Sequence, residues 1–351
     1  MLRSRFLISV LIAVMLSISC HQQETSQKSD YSDVISRAAK DLSLKAAEAI
    51  KHDFTPHDPF SDIDFDLIAS LGESEGNAAQ DYCEFMKSYD RNNKKPVMLN
   101  GEERFVYDTL SPEVRYLYQA LTRRDCWFLE PEDYNPPFLI DGDPTDWGAC
   151  SECDFLHLVD VGKGLVYQGD KFAKNLQLSE ALESYRSIVI MGRHLWEEHG
   201  ALLSDKVGII LIKMGNDAIL RLLDDHTNLR QDNEALYSAC MDFSAAYDDY
   251  QQQQDVWWAT LYLLDEDPSK WDAGLFRNLE IGVKHEFPSY RVETLASIAR
   301  ARFASDLSIS DRVTALLENA LSDPDPRVSE LAKWGLTHTK VESDRIWKDD
   351  E

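Results

Sequence analysis

Residues 203–223 read LSDKVGIILIKMGNDAILRLL, and apolar side chains surround much of the axis of the helix that they predict. A helix at the surface of a bundle carries an apolar stripe on one side only, whereas a helix with so little polar face is enclosed by others. We therefore expect this helix in the middle of a helical bundle. No stretch of strict apolar and polar alternation is bounded by turn residues, so the sequence predicts an all-α protein.

Apolar residues recur at helical spacing over most of the chain on both sides of this segment. The segment 154–223 predicts two successive helix-hairpins, and Ser111-Pro112-Glu113 is a favourable helix start. The predicted helices are 32–51, 77–89, 111–124, 152–173, 179–198, 203–223, 232–250, 255–264 and 271–284.

The composition limits the possible partners. The 351 residues include 36 Lys and Arg against 62 Asp and Glu, a net charge of -26. Binding to nucleic acid depends on clustered cations that displace counterions from phosphates, so we expect no nucleic-acid partner. A hydrophobic content of 44%, with 8 Trp, 14 Tyr and 14 Phe, is enough for a large core and excludes wholesale disorder.

The first residues have the pattern of a targeting segment. Arg3 and Arg5 supply a cationic start, and the mostly apolar run 6–16 is shorter than the roughly 20 residues that span a bilayer. Lipidation, ordinary secretory cleavage and a retained anchor are the three ways in which such a segment is used.

The segment ends with LSISC at 16–20, which resembles the lipobox of bacterial lipoproteins, with Ser17 where that family usually has Leu. The resemblance implies a lipoprotein signal peptide over 1–20 and lipid on Cys20. It also implies a location in the bacterial cell envelope, facing the periplasm if the cell is Gram-negative. We expect contact with the membrane through this lipid anchor only.

A repeat with a spacing of 36 residues lies towards the end of the chain. The stretches RVETLA at 291–296 and RVSELA at 327–332 match, and proline precedes each. The stretch DPDPRV at 323–328 and the residues after it resemble the HEAT-like repeat of the phycobilisome-lyase type. Ser329 departs from the family, which usually has Arg there, and this departure weakens the inter-repeat polar ladder. The resemblance implies a short α-solenoid that continues the bundle and acts as a binding surface, without lyase activity.

The middle of the chain, from Asn77 to Ile209, resembles helical envelope proteins of unassigned role, a resemblance that implies no activity. Several prolines and aspartates after residue 130 predict a loop. The sequence thus predicts a lipoprotein signal peptide (1–20), a polar tether (21–30), an N-terminal helical region (31–129), a Pro/Asp-rich loop (130–150), a helix-hairpin bundle (151–285) and HEAT-like repeats (286–351).

Cys150-Ser151-Glu152-Cys153 is the sharpest local motif, because CxxC serves as a redox pair, as half of a zinc site or in a disulfide. Acidic neighbours disfavour a reactive thiolate, and the remaining cysteines are too isolated to complete a zinc site. A disulfide is the default in an exported protein. We expect Cys126 to pair with Cys150 or Cys153 across the predicted loop.

The stretch HLWEEH at 194–199 is superficially similar to zinc-protease helices, which place two His four residues apart on one face. His194 and His199 are five residues apart, about 140° around a helix axis, so they cannot readily share one ion. We expect them on a solvated face, with a contact between His194 and Glu198.

Four carboxylates match part of a calcium-loop template, in which positions 1, 3, 5 and 12 carry oxygen ligands. Leu67 lies at the sixth position, where the sharp turn requires Gly, so we do not expect calcium there. The matching residues are Asp62, Asp64, Asp66 and Glu73.

These patterns favour a non-enzymatic envelope lipoprotein that acts as a protein-binding helical scaffold, with an unidentified protein partner. No catalytic residue, metal ligand or cofactor is predicted. The alternative from another class is an envelope enzyme, or a metal- or thiol-dependent protein, that uses Cys150 and Cys153.

The predicted lipid on Cys20 is testable by the substitution Cys20→Ser. We expect the variant to leave the membrane fraction, because two acyl chains give a stable attachment that the rest of the chain does not supply. Fractionation of the two proteins and mass spectrometry of the N-terminal peptide measure this. Unchanged fractionation together with no lipid mass on the wild-type peptide would refute the prediction.

Overall fold

A computed structural model describes residues 57–90, 92–99, 102–128, 155–197, 202–264, 273–285, 287–304 and 307–337. Of these residues 72% are helical and no sheet closes, which confirms the all-α class. Among the helices of these ranges, none has the length and hydrophobicity needed to cross a membrane. The predicted helix 32–51 and the predicted loop 130–150 lie outside the described residues.

In chain order the elements are α1 (Phe65–Ile68), β1 (Ser74–Asn77), α2 (Ala78–Ser88), β2 (Lys94–Leu99), β3 (Glu102–Tyr107), α3 (Val114–Ala120), β4 (Arg123–Asp125), α4 (Leu156–Lys174), α5 (Leu178–Glu197), α6 (Leu202–Asp225), α7 (Thr227–Asp232), α8 (Glu234–Leu264), α9 (Ala273–Gly282), α10 (Pro288–Ala304), α11 (Leu307–Ala320) and α12 (Pro326–Thr337).

Helix α6 lies in the middle of the bundle, as its sequence predicts. It packs against α5 over much of its length, and it also contacts α4, α8 and α10. Its apolar side chains are buried on several sides of the axis, because neighbouring helices cover it almost all round. They include Val207, Ile209, Leu211, Ile212, Ala218 and Ile219.

Two glycines bring the backbones of α5 and α6 into direct contact. A Cβ atom on Gly192 would lie 2.5 Å from the carbonyl oxygen of Gly208, and one on Gly208 would lie 2.7 Å from the carbonyl oxygen of Gly192. Gly215 repeats the pattern two turns on, where a Cβ would lie 2.8 Å from the carbonyl oxygen of Tyr185. No side chain fits at these positions because protein interiors are close-packed.

The buried apolar side chains form two clusters, one on each side of the α5–α6 pair. The N-terminal core joins α2, β3 and α3 to α4 and to one side of α5 and α6, for example through Leu195 and Leu211. The main core begins at Phe60, takes in the other side of α5 and α6 through residues such as Val189 and Ile212, and continues to Trp334 in α12.

Helices α10, α11 and α12 pack pairwise on one another, and α10 also contacts α6, α8 and α9. Phe287 meets Trp196 of α5 at a ring distance of 4.9 Å, and the hydroxyl groups of Tyr250 and Tyr290 are 3.3 Å apart. The apolar core is therefore continuous across the predicted segment boundary at 285/286.

Short strands occur between residues 74 and 125, where the sequence predicts none. Strands β2 and β3 form an antiparallel hairpin, and β1 pairs with β4 in parallel. Asn100-Gly101 joins β2 to β3, and this dipeptide is the strongest short-range signal of a hairpin. Lys94, Lys95 and Pro96 obscure the strand in the sequence, since none of them favours one.

Two predicted helix boundaries are wrong. The helix predicted over 111–124 is limited to Val114–Ala120, and Glu113 rather than Ser111 is its N-terminal cap residue, without a side-chain hydrogen bond. The helices predicted over 232–250 and 255–264 are one helix, Glu234–Leu264. The four glutamines at 251–254 continue it, because Gln is a good helix former.

The direct contact of α5 and α6 predicts the effect of Gly208→Ala. The added methyl group meets backbone atoms that cannot rotate away, so we expect the free energy of unfolding to fall by about 1–3 kcal/mol. Urea unfolding followed by circular dichroism measures this.

Gly335→Ala is the matched control. The three atoms nearest to a Cβ atom on Gly335 would be side-chain atoms, at 3.2 Å or more, and alanine favours a helix by about 1 kcal/mol over glycine. We expect this variant to be as stable as the wild type, within about 1 kcal/mol. Equal losses of stability in the two variants would contradict the role of the glycine contact.

Candidate functional site

A groove of about 530 Å³ opens between α9, α10 and α11, beside the turn that precedes α12. Apolar side chains form its floor: Val283, Leu316 and Ala320 are buried there. Ala315, on the exposed side of α11, also lines it. An apolar centre surrounded by polar side chains is the usual anatomy of a site that binds another molecule.

Arg291 and Asp323 form one wall of the groove. The Nε atom of Arg291 lies 2.9 Å from Oδ2 of Asp323, and its Nη2 atom donates to Oδ1 at 2.9 Å. The Nη1 atom donates to the carbonyl oxygen of His285 at 2.7 Å. Both side chains are only about a tenth exposed. One hydrogen bond and a close ion-pair contact between guanidinium and carboxylate hold α10 against the turn before α12.

Arg327, the residue equivalent to Arg291 in the 36-residue repeat, has a partner from the same turn. Its Nε and Nη2 atoms donate to the two carboxylate oxygens of Asp325, at 3.0 and 2.8 Å. Burial raises the pKa of Asp325, but the hydrogen bonds and charge of Arg327 outweigh burial and hold that pKa below its ordinary value. Asp323 and Asp325, two residues apart, thus fix one arginine from each repeat.

The open rim of the groove carries two exposed cations. The guanidinium carbon of Arg312 lies 4.0 Å from the ring centre of Phe276, and its Nη2 atom is 3.8 Å from Oε1 of Glu280. Lys284 is exposed just after the end of α9, and within the described residues it forms no ion pair. The rim therefore presents positive charge on a chain of net charge -26.

His285, which also lines the groove, is held in one orientation. Its ring stacks on Tyr290 at 4.3 Å with an interplanar angle of 10°, and its Nδ1 atom accepts the backbone N–H of Phe287 at 3.1 Å. An accepting Nδ1 carries no proton, so the ring is neutral. The charge of the groove therefore comes from its arginines, lysine and carboxylates.

Most of the cysteines that the sequence singles out lie beyond the described residues. These are Cys20, Cys150 and Cys153, so lipidation and the disulfide with Cys126 stay predictions. Cys126 itself follows β4 and packs, half-buried, against the N-terminal core. Cys240 is buried in α8, and burial raises the pKa of its thiol to about 12, so it is not a nucleophile at neutral pH.

Two of the four carboxylates of the calcium template have other roles. Asp64 caps α1 by accepting the backbone N–H groups of Asp66 and Leu67. Asp66 accepts a hydrogen bond from Nη1 of Arg193 at 2.7 Å, which fastens the segment before β1 to α5. In the part of the chain that the structure describes, no three His, Cys, Asp or Glu side chains are arranged to hold a metal.

The prediction of a solvated His194 is wrong. This side chain is 2% exposed, because α2 and β4 cover its face of α5. The hydroxyl group of Tyr82 lies 2.8 Å from Nδ1, and Nε2 lies 3.1 Å from the carbonyl oxygen of Arg123. A carbonyl oxygen only accepts, so Nε2 carries the proton and Tyr82 donates to Nδ1. Glu198 and His199 lie outside the described residues.

In comparisons with known proteins, no family model, no curated protein and no solved structure matches this chain.

Sequence reasoning found part of the groove and missed the rest. The 36-residue repeat drew attention to Arg291, but nothing in the sequence marked Glu280, Lys284 or Arg312. Glu280 in α9 and Lys284 just after it are about 30 residues from Arg312 in α11, and only the packing of the two helices brings them to one rim.

The buried His194 predicts a pH dependence of stability. Burial lowers its pKa to about 4, whereas the unfolded value is about 6.5. Between these values the unfolded chain binds a proton that the folded chain does not. We therefore expect stability to decrease as the pH falls from 6.5 towards 4, by up to about 3 kcal/mol in total.

Urea unfolding at pH 7, 6 and 5 measures this dependence in the wild type, in His194→Gln and in His226→Gln. The first variant removes the titrating ring, so its stability should decrease less with acid. His226 is only half-buried, and its variant should follow the wild type. The same pH dependence in all three proteins would show that His194 does not titrate as described.

Proposed function

We propose that this chain is a non-enzymatic, lipid-anchored envelope scaffold that binds a protein partner in the groove between α9, α10 and α11. The groove itself is the observation that carries the proposal. Its buried floor lies under a rim of exposed charged side chains, which is the composition of a protein interface: apolar at the centre and polar at the edge.

The walls of the groove favour a binding role because contacts within the chain hold them in place. On one side the Arg291–Asp323 pair joins the two repeats, and the Arg327–Asp325 pair fixes the turn before α12. The stacking of His285 on Tyr290 fixes the end of α9 on the other. A preorganised site loses less conformational entropy on binding, so more of its contact energy becomes affinity.

The predicted anchor complements this role. Lipid on Cys20, followed by the polar tether 21–30, would hold the folded part close to a membrane and leave the groove accessible. A partner bound in the groove would then be retained at the envelope. The chemistry needed is that of recognition, and it uses no bond-making residue.

Ala315→Trp tests the groove as the place of binding. Ala315 is exposed, so the indole fills the groove without displacing a core residue. We expect a protein that co-purifies with the wild type from detergent-solubilised membranes to be reduced at least tenfold with this variant, since the hot spot of an interface lies at its centre.

Ala245→Trp, at an exposed position of α8, is the matched control and should retain the protein. Thermal melting followed by circular dichroism should be alike for all three proteins. If Ala315→Trp retains every protein that the wild type retains, the groove is not the binding site.

A further inference from the structure

We infer that the groove recognises an extended acidic segment of its partner, in which a carboxylate lies next to an apolar side chain. The inference rests on the proposed function and names the class of partner. It follows from which charges in the groove are already satisfied and which are available.

Arg291 is not available to a ligand. Its guanidinium group already binds both carboxylate oxygens of Asp323 and the carbonyl oxygen of His285. Because Asp323 is neutralised by the same contacts, it does not repel an incoming carboxylate either. This buried pair sets the shape of the groove and leaves its selectivity to the rim.

Arg312 is available. Its contact with Glu280 spans 3.8 Å between two half-exposed side chains, and surface pairs of this kind contribute little to stability. The ring of Phe276 supports the guanidinium group from below and leaves its edge exposed to solvent. A partner carboxylate can therefore replace Glu280 and accept two parallel hydrogen bonds.

Lys284 is a second exposed cation that lines the same groove. Three cations and two carboxylates line the groove. Of these, Arg291 and Asp323 neutralise each other. The accessible charge is thus two cations against the single carboxylate of Glu280. Acidic ligands are favoured over basic ones at this place.

The preference of the groove for acidic ligands is opposite to that of the chain as a whole. At a net charge of -26, basic proteins are attracted over much of the surface without specificity. Charges beyond about 8 Å are screened at physiological salt, so inside the groove the local cations decide. The floor of Val283, Leu316 and Ala320 requires an apolar side chain beside the carboxylate.

The experiment uses the whole mature chain and short fluorescein-labelled peptides of Asp, Leu and Gly, with Asn or Lys replacing every Asp in two further peptides. Fluorescence anisotropy measures binding. We expect the Asp peptide to bind at least about tenfold more tightly than the Asn peptide, and this advantage to shrink as salt rises.

Charge reversal at the rim is the decisive comparison. Arg312→Glu and Lys284→Glu should each remove the preference for Asp over Asn, and together they should favour the Lys peptide. Lys333→Glu, an exposed reversal on α12 outside the groove, is the matched control and should bind as the wild type does.

Equal affinity for the Asp and Asn peptides, or the same loss in Lys333→Glu as in Arg312→Glu, would overturn the inference. In that case the proposed function would still stand if Ala315→Trp releases the partner. Conversely, a partner retained by Ala315→Trp would refute the proposed function, even if the Asp peptide binds at Arg312.

Discussion

The backbones of α5 and α6 contact each other at Gly192 and Gly208, and the positions of the other helices depend on that contact. Because no side chain separates the two helices there, they form a closely packed pair with apolar residues on both sides. The N-terminal core packs on one side of it and the main core on the other. A wider spacing would open cavities in both cores together, and cavities are costly in a close-packed interior.

The position of the groove depends on the α5–α6 pair, because aromatic side chains connect α5 to the helices around the groove. Trp196 at the end of α5 contacts both Tyr250 of α8 and Phe287, which immediately precedes α10. Rings of this size bury large areas and prefer tilted or edge-to-face contacts, so they orient the helices that carry them. Helix α10 is thereby fixed on the bundle, and α9 and α11 pack against it to form the opening.

Buried charged pairs fix the shape of the groove more than they stabilise the folded chain. Taking two charges out of water costs about as much as their attraction returns, so pairs such as Arg291–Asp323 add little net stability. Their hydrogen bonds have narrow angular requirements, however, and the alternatives leave a charge buried alone. The wall of the groove is therefore well defined even though its polar contacts contribute little to the free energy of folding.

The sequence alone determined the helical class, the central place of α6 and the equivalence of Arg291 and Arg327, because these depend on periodicity along one element or on a repeat. It did not determine the β2–β3 hairpin, whose signal at Asn100-Gly101 is local but follows residues that disfavour strands. The burial of His194 and the meeting of Arg312 with Lys284 were decided only by the tertiary structure. Periodicity shows which face of a helix is apolar, whereas the covering of a polar side chain depends on elements that are distant in the chain.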